Sequence, residues 1–114
     1  MTPYIKNLNP AAVLSLKDQL EYLPGQIVSK TLAQNEALSL TLFAFEKGEE
    51  ISSHESDGDA MIVALDGAGR VTIDGTPYTL QAGETIIMPA KKPHAVFAAE
   101  RFKMFLIVVF PKRA

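Results

Sequence analysis

From residue 26 onward, short apolar segments separated by turn residues make up most of the chain. Apolar and polar positions alternate with a period of two in Leu38–Phe45 and again in residues 70–74, which is the pattern of a strand with two different faces. Asp74-Gly75, at the end of the second segment, is a strong hairpin signal. Six further strands are predicted, at residues 26–32, 61–65, 77–80, 85–88, 94–98 and 102–110. Strands spaced about 8–12 residues apart indicate an all-β sandwich or closed barrel.

The first part of the chain shows no such alternation. Ser15 could cap a short helical turn over residues 16–20, and Pro24-Gly25 would end anything helical there. We therefore expect an N-terminal segment, residues 1–25, that packs on the barrel or on a partner subunit, followed by a barrel over residues 26–114.

Two of the predicted strands contain stretches that are apolar on both faces. The first stretch is residues 61–65, a strand that Asp66-Gly67 should end, and the second is residues 104–110. Neither face of such a strand should meet water. One face can fill the barrel, whereas the other needs a cover, either the N-terminal segment or a second subunit. We therefore expect a homodimer that buries one face of the barrel.

Composition narrows the choice of partners and location. With 114 residues, of which 47% are hydrophobic, the chain fits one domain with one core. The longest apolar run, residues 104–110, is too short to cross a membrane, and we expect no signal peptide and no membrane partner. The absence of Cys excludes disulfides and thiolate metal sites and fits a cytoplasmic location. A net charge of −2 predicts no nucleic-acid partner.

Two segments resemble the two signature motifs of the cupin family. The first motif is G-x5-H-x-H-x3,4-E-x6-G, and the second is G-x5-P-x-G-x2-H. The matching positions are Gly48, His54 and Gly67 for the first motif, and Gly83, Pro89 and His94 for the second. Residues 54–60, with the order HESDGDA, are similar to a subgroup of small stand-alone cupins whose first motif is H-x-S-x-G-D-A.

This resemblance implies a double-stranded β-helix of the RmlC-like kind, which is a jelly-roll barrel. In the metal-binding members, three His and one Glu hold a divalent ion inside the barrel. Here Ser56 stands at the position of the second His, Ala60 at that of the Glu, and Lys91 at a glycine of the second motif. Of the four implied ligands, only His54 and His94 remain.

Two imidazoles can bind Zn²⁺, Fe²⁺ or Ni²⁺, but a tight site normally takes three or four protein ligands. Asp59 is a candidate third ligand, and Glu55 and Asp57 lie in the same loop. If Ala60 points inward, however, Asp59 points away, and only a bulge could re-aim it. We therefore expect a degenerate site in which a divalent metal is weakly held or absent.

The two histidines are the only ones in the chain, so we expect them to face each other across one cavity. Ser56 and Ala60 are smaller than the ligands they replace, which predicts a roomier and less polar pocket. The expected pocket residues are Ser56, Ala60, Met61, Met88 and Met104. Such a pocket suits a small, partly apolar molecule with one or two polar atoms.

Three functions remain open at this point. The first is a cupin that binds a small molecule beside a degenerate metal site. The second is a metal-dependent cupin enzyme, of the dioxygenase or isomerase type, that uses His54 and His94. The third is a structural or regulatory module that acts through its dimer surface. No motif marks a nucleophile or an oxyanion hole, so no catalytic residue is assigned.

Overall fold

The computed structural model describes residues 3–112, which form eight antiparallel strands and one short 3-10 helix, Leu16–Gln19. The strands are β1 (Ile27–Gln34), β2 (Leu38–Phe45), β3 (Glu50–His54), β4 (Asp59–Ile73), β5 (Thr76–Gln81), β6 (Thr85–Met88), β7 (His94–Phe97) and β8 (Phe102–Val109). This confirms the predicted all-β architecture. The bounds of β2 and β6 agree with those predicted from the sequence.

Strand β4 organises the barrel because it belongs to two sheets. The strands pair in the order β1-β2-β8-β4-β7-β3, and β5 and β6 also pair with β4. The first half of β4 pairs with β8 and β6, and its second half pairs with β5 and β7. The sheet therefore curls into a jelly-roll barrel, and side chains that point inward fill or line its interior.

The prediction that Asp66-Gly67 would end a strand is wrong. The chain continues through Gly67 with a φ of +73°, and the register with β8 shifts between Ala64 and Asp66. The carbonyl group of Arg101 occupies the space where any other residue would carry its Cβ. An irregularity at such a glycine bends a strand without ending it.

Strand β3 was not predicted from the sequence. Its residues, EISSH, include one large apolar side chain, and the strand is mostly exposed. It forms because its backbone pairs with β7, in a register that places His54 opposite His94. The pairing, and not the propensity of these residues, makes the segment a strand.

One end of the barrel is closed by apolar packing. Its buried residues are Phe45, Val71, Leu80, Ala98 and Phe102. The rings of Phe45 and Phe102 pack with their centroids 6.0 Å apart. Strand β8 runs from this packed end to the other, where Leu106 and Val108 line a cavity.

The described part of the N-terminal segment packs on the outer face of its own barrel. The contacts come from Leu8, Leu16, Leu20 and Tyr22. The Tyr22 hydroxyl donates a 2.5 Å hydrogen bond to Asp66, and Lys103 Nζ donates to the carbonyl oxygen of Lys17 at 2.6 Å. Burial and the Asp66 carboxylate raise the pKa of Tyr22, so the hydroxyl remains a donor. Ser15 precedes the short helix but makes no capping hydrogen bond, contrary to the role considered for it.

None of the helical structure in residues 3–112 is long and apolar enough to span a bilayer. The cytoplasmic location stays a prediction. The first two residues of the predicted N-terminal segment and the last two of the predicted barrel lie outside the described residues.

Candidate functional site

A cavity of about 330 Å³ occupies the end of the barrel away from Phe102. Most of its wall is apolar and comes from both sheets: Phe43, Ile51, Ala60, Met88, Val96, Met104, Leu106, Val108 and Phe110. The polar part of the wall comprises Gln34, Ser39, His54, Glu55, Ser56 and His94. Since His54 and Glu55 are exposed, the cavity opens to solvent beside them.

Strand pairing brings the two histidines together. Strands β3 and β7 are antiparallel, and His54 lies directly opposite His94, so both side chains leave the sheet on the same side. The two Nε2 atoms are 3.1 Å apart, and the rings meet edge to face at 71°. The rings therefore lie side by side on one wall, whereas the sequence predicted that they would face each other across the cavity.

The backbone determines which nitrogen of each ring carries a proton. Nδ1 of His54 lies 3.0 Å from the carbonyl oxygen of Ser52, and Nδ1 of His94 lies 3.2 Å from that of Lys92. A carbonyl oxygen can only accept, so each Nδ1 donates. In the neutral rings both Nε2 atoms therefore present lone pairs, and these meet. These two lone pairs find a favourable partner only when a proton, a hydrogen-bond donor or a metal ion lies at the two Nε2 atoms.

The two rings differ in their exposure to water. His94 lies on β7 between β3 and β4 and is 3% exposed, whereas His54 lies on the edge strand and is exposed. Burial, and secondly the nearby His54 ring, lower the pKa of His94, while the hydrogen bond to Lys92 opposes this shift. His94 is therefore a neutral acceptor at pH 7.

The His pair has the geometry of two ligands on one ion. With metal–nitrogen bonds of about 2.0–2.1 Å, two imidazoles lie about 2.9 Å apart at a right angle and about 3.4 Å apart at a tetrahedral angle. The observed 3.1 Å falls between these values. Among residues 3–112, however, no group of three or more His, Cys, Asp or Glu side chains could hold a metal.

The other implied ligand positions do not complete the set. The Ser56 hydroxyl accepts a hydrogen bond from the Gly58 N–H at 3.2 Å, and Ala60 has no donor atom. The residues present therefore do not fit a divalent ion held by the protein alone.

Asp59 does not reach the His pair. Because Ala60 points into the cavity from β4, Asp59 points to the outer face of the barrel. No bulge re-aims it, since Ala60 stays in register with both β6 and β8. The Asp59 carboxylate instead accepts a 2.8 Å hydrogen bond from the Ala90 N–H, so it has a structural role in place of the ligand role considered for it. Of the other loop carboxylates, Glu55 lines the cavity and Asp57 does not.

Four of the five expected pocket residues line the cavity, namely Ser56, Ala60, Met88 and Met104. Met61 does not, and this expectation is corrected. Met61 follows Ala60 on β4 and therefore points to the outer face, where it pairs with Ile87 and Ile107. Because side chains alternate along a strand, an inward Ala60 excludes its neighbour Met61 from the cavity wall.

Two polar residues of the wall were missed in the sequence. Gln34 and Ser39 lie opposite each other on β1 and β2. The alternation along β2 could have indicated Ser39, since Ser39 lies on the same face of the strand as Phe43. The alternation along β1 could not have indicated Gln34, because a register shift between Thr31 and Ala33 changes the alternation just before this residue.

Lys91 stands at a glycine position of the second motif and has a backbone conformation that favours glycine. Its φ is +65°, in the left-handed region. Its N–H donates a 2.8 Å hydrogen bond to the carbonyl oxygen of Ser56, which ties the loop before β7 to the loop after β3. The lysine at this position therefore does not prevent the left-handed conformation.

Comparisons with known proteins agree with this fold. The family model of the cupin domain matches residues 41–110. A conserved protein of unknown function from Streptococcus pyogenes is 43% identical, with a TM-score of 0.95 over 98% of both chains. A cupin superfamily protein from Desulfitobacterium hafniense is 33% identical, with a TM-score of 0.89 over 94% of this chain and 98% of the other.

A more distant relative is an enzyme. Over 72 residues the chain is 28% identical to dimethylsulfoniopropionate lyase DddW from Ruegeria pomeroyi. The match covers 63% of this chain and 47% of the lyase, so the chain spans about half the length of that relative.

Proposed function

Because the chain belongs to the cupin domain family, we propose that its barrel binds a small, partly apolar molecule, with His54 and His94 as the polar anchor of that molecule. The observation that carries the proposal is the pair of Nε2 atoms that meet at 3.1 Å in the wall of an apolar cavity.

The cavity supports the apolar half of the proposal. Its volume of about 330 Å³ lies near the lower end of the range of ligand pockets, about 300–1,000 Å³. Side chains such as Phe43, Met104 and Leu106 offer no hydrogen bonds, so the molecule is held there by burial of its apolar surface. A single substituted ring or a short branched chain has a suitable size.

The His pair supports the polar half. Two neutral rings with protons on Nδ1 present two acceptors and no donor at Nε2. A hydroxyl or amine group donates to such a pair, whereas an ether oxygen meets lone pairs and leaves the nitrogens unsatisfied. The preferred molecule therefore combines an apolar body with at least one hydrogen-bond donor.

Phenol is expected to bind the cavity about fivefold more tightly than anisole, the difference made by one hydrogen bond of about 1 kcal/mol. Anisole has the same ring but carries a methyl ether in place of the O–H. NMR titrations would measure both affinities, with the ring signals of His54 and His94 as reporters. In the double variant His54→Ala and His94→Ala, which removes both acceptors, the preference for phenol should disappear while weak binding of both probes, followed through the methyl signals of Met88 and Met104, remains.

Two further variants test whether the signal comes from the cavity. Ala60→Leu narrows the cavity from its wall and should weaken the binding of both probes. Tyr78→Ala removes an exposed ring that does not line the cavity and should behave as the wild type. The proposal fails if neither probe shifts cavity signals, or if anisole binds the wild type as tightly as phenol.

The alternative is a metal-dependent cupin enzyme, of the dioxygenase or isomerase type, that uses His54 and His94. The Nε2 separation of 3.1 Å favours it, because this distance suits two adjacent ligands on one Zn²⁺, Fe²⁺ or Ni²⁺ ion. Such an ion would depend on water and substrate for the rest of its coordination.

Elemental analysis separates the two functions. We expect protein purified without an affinity tag, incubated with Zn²⁺, Fe²⁺ or Ni²⁺ and desalted, to retain well below one ion per chain, because only two protein ligands are present. Near-stoichiometric metal that is lost in His54→Ala would favour the enzyme over the binding protein.

A further inference from the structure

The cavity wall carries one acidic side chain and no basic one among its described residues. Glu55 is the only Asp, Glu, Lys or Arg that lines the cavity. It is exposed at the mouth and takes part in none of the ion pairs within residues 3–112. Lys91 and Lys112 line a separate depression that shares only Phe110 with the cavity. A molecule entering the cavity therefore passes a negative charge and meets no positive one in the wall.

The His pair adds two hydrogen-bond acceptors beside this charge. Each Nδ1 donates to a backbone carbonyl oxygen, so the Nε2 atoms of the neutral His54 and His94 rings accept hydrogen bonds and donate none. A hydroxyl group has one hydrogen, which leaves one of the two nitrogens without a donor. A primary ammonium group has three hydrogens and no lone pair, so it can donate to both nitrogens and once more to the Glu55 carboxylate or to water.

The separation of the two nitrogens fits a single ammonium group. The Nε2 atoms are 3.1 Å apart, so the lines from them to a donor nitrogen about 2.9 Å from each meet at an angle of about 65°. The hydrogens of an ammonium group diverge by about 109°, so each hydrogen bond has an angle of about 150° at the hydrogen. That angle is close to the preferred range and far from about 120°, below which hydrogen bonds weaken steeply. One ammonium group can therefore bridge the two rings.

The open mouth lowers the cost of binding a charged group. An ammonium ion buried without partners is strongly unfavourable. Because His54 and Glu55 are exposed, an ammonium group at the His pair keeps part of its hydration and lies in the same opening as a carboxylate. Its apolar body enters the cavity among Phe43, Met88 and Met104. A carboxylate at the same place would instead meet a like charge and two nitrogens that offer no hydrogen.

We propose that the molecule held by the barrel is a primary amine, bound as its ammonium ion, with an apolar body about the size of one ring. This inference rests on the proposed function, since it uses the same cavity and the same His pair, and it adds Glu55 as the residue that selects a positive charge. An alkylammonium group, like the lysine side chain, keeps its proton at neutral pH, so the charge is present when the molecule binds. Hydrogen bonds from a charged donor are about twice as strong as neutral ones, so amines bind more tightly than the corresponding alcohols.

Benzylamine is expected to bind the wild-type chain about tenfold more tightly than benzyl alcohol at neutral pH. The two probes share the ring and the CH₂ group and differ only in the head group. Benzoate, whose head group is negative, should bind most weakly of the three. NMR titrations would give the affinities, and the methyl signals of Met88 and Met104 would show that the probes bind in the cavity.

Two matched variants isolate the role of the carboxylate at the mouth. Glu55→Gln removes the charge and keeps the size of an exposed side chain, so the fold should tolerate it. Its affinity for benzylamine should fall about threefold, as for a partly exposed charge pair, while its affinity for benzyl alcohol stays unchanged. Glu50→Gln makes the same change at the start of β3, where the side chain is exposed and does not line the cavity, and it should bind both probes as the wild type does.

The outcomes separate this inference from the proposed function. Benzyl alcohol that binds the wild type as tightly as benzylamine would overturn the inference and leave the binding function standing. So would benzoate that binds more tightly than either probe, or a Glu55→Gln chain that loses no more affinity for benzylamine than Glu50→Gln does. If neither benzylamine nor benzyl alcohol shifts the signals of Met88 and Met104, the inference and the proposed function fail together.

Discussion

A chain that carries both Ser56→His and Ala60→Glu is expected to retain one divalent ion per barrel through desalting, whereas the wild type is expected to lose it. The two substitutions restore, beside His54 and His94, the three His and one Glu that the cupin motif implies. Both positions already line the cavity, so the new side chains start from backbone that points inward. Even outer-shell partners of a metal are worth about 10–100-fold in affinity, so two added ligands should tighten Zn²⁺ binding by at least about a hundredfold.

A matched variant isolates the effect of position from that of composition. Ser56→His combined with Met61→Glu adds the same residue types, but Met61 lies on the outer face, one residue beyond Ala60. Because only its new His can reach the ion, it should bind Zn²⁺ at least about tenfold more weakly than Ser56→His combined with Ala60→Glu, in a competition titration against a chelator of known strength. Equal affinity in the two double variants would contradict the assignment of the vacant ligand positions to the cavity wall.

The elements predicted best are those whose own residues carry the signal. In Leu38–Phe45 the two faces of the strand meet different apolar clusters, so the alternation is strong and both ends were predicted correctly. The Asp74-Gly75 hairpin is confirmed, with φ values of +49° and +84° as a type I′ turn requires. Local pattern and tertiary environment favour the same structure in these places.

The errors arise where distant parts of the chain decide the structure. Strand β3 depends on pairing with β7, some forty residues later in the chain, and its polar residues show no periodicity of their own. Strand β4 passes through Asp66-Gly67 because the carbonyl of Arg101 fits against the glycine, and a turn pair alone does not reveal that contact. Non-local pairing of this kind leaves no trace in a short sequence window.

The candidate site was likewise predicted only in part. The resemblance to the cupin motifs implied His54 and His94, but their direct contact depends on the β3–β7 register, which includes an irregularity between Ile51 and His54. The misplacement of Met61 was avoidable, since an inward Ala60 already requires an outward Met61. The parity argument against Asp59 was sound, and the structure adds the partner that holds it, the Ala90 N–H.

Strands β4 and β8 have apolar side chains on both of their faces. On β4, Ala60 lines the cavity while Met61 and Val63 point to the outside of the barrel, and on β8 Leu106 and Ile107 divide in the same manner. The N-terminal segment covers the part of the outer face around Leu42 and Phe105. The homodimer expected from the sequence stays a prediction.

Gly67→Ala is expected to produce the largest loss of stability of any single substitution considered. The substitution places a Cβ where the Arg101 carbonyl lies, at a residue whose φ of +73° already disfavours an L side chain. Either the start of β8 must move or the bend in β4 must open, and both changes disturb the packing of Phe102 in the closed end of the barrel. We expect the free energy of unfolding, measured by urea denaturation, to fall by more than about 4 kcal/mol, a loss seen only when a substitution breaks a specific structural requirement.

Gly48→Ala separates the close contact from the backbone conformation. Gly48 has a similar φ of +89°, but no heavy atom lies within 4 Å of the position of its Cβ. Its substitution should therefore cost only the strain of the left-handed conformation, about 1–2 kcal/mol. A much larger loss in Gly67→Ala than in Gly48→Ala means that the approach of Arg101 holds the bend that joins the two sheets. Equal losses in the two variants would mean that backbone strain alone is responsible, and that β4 can bend without this contact.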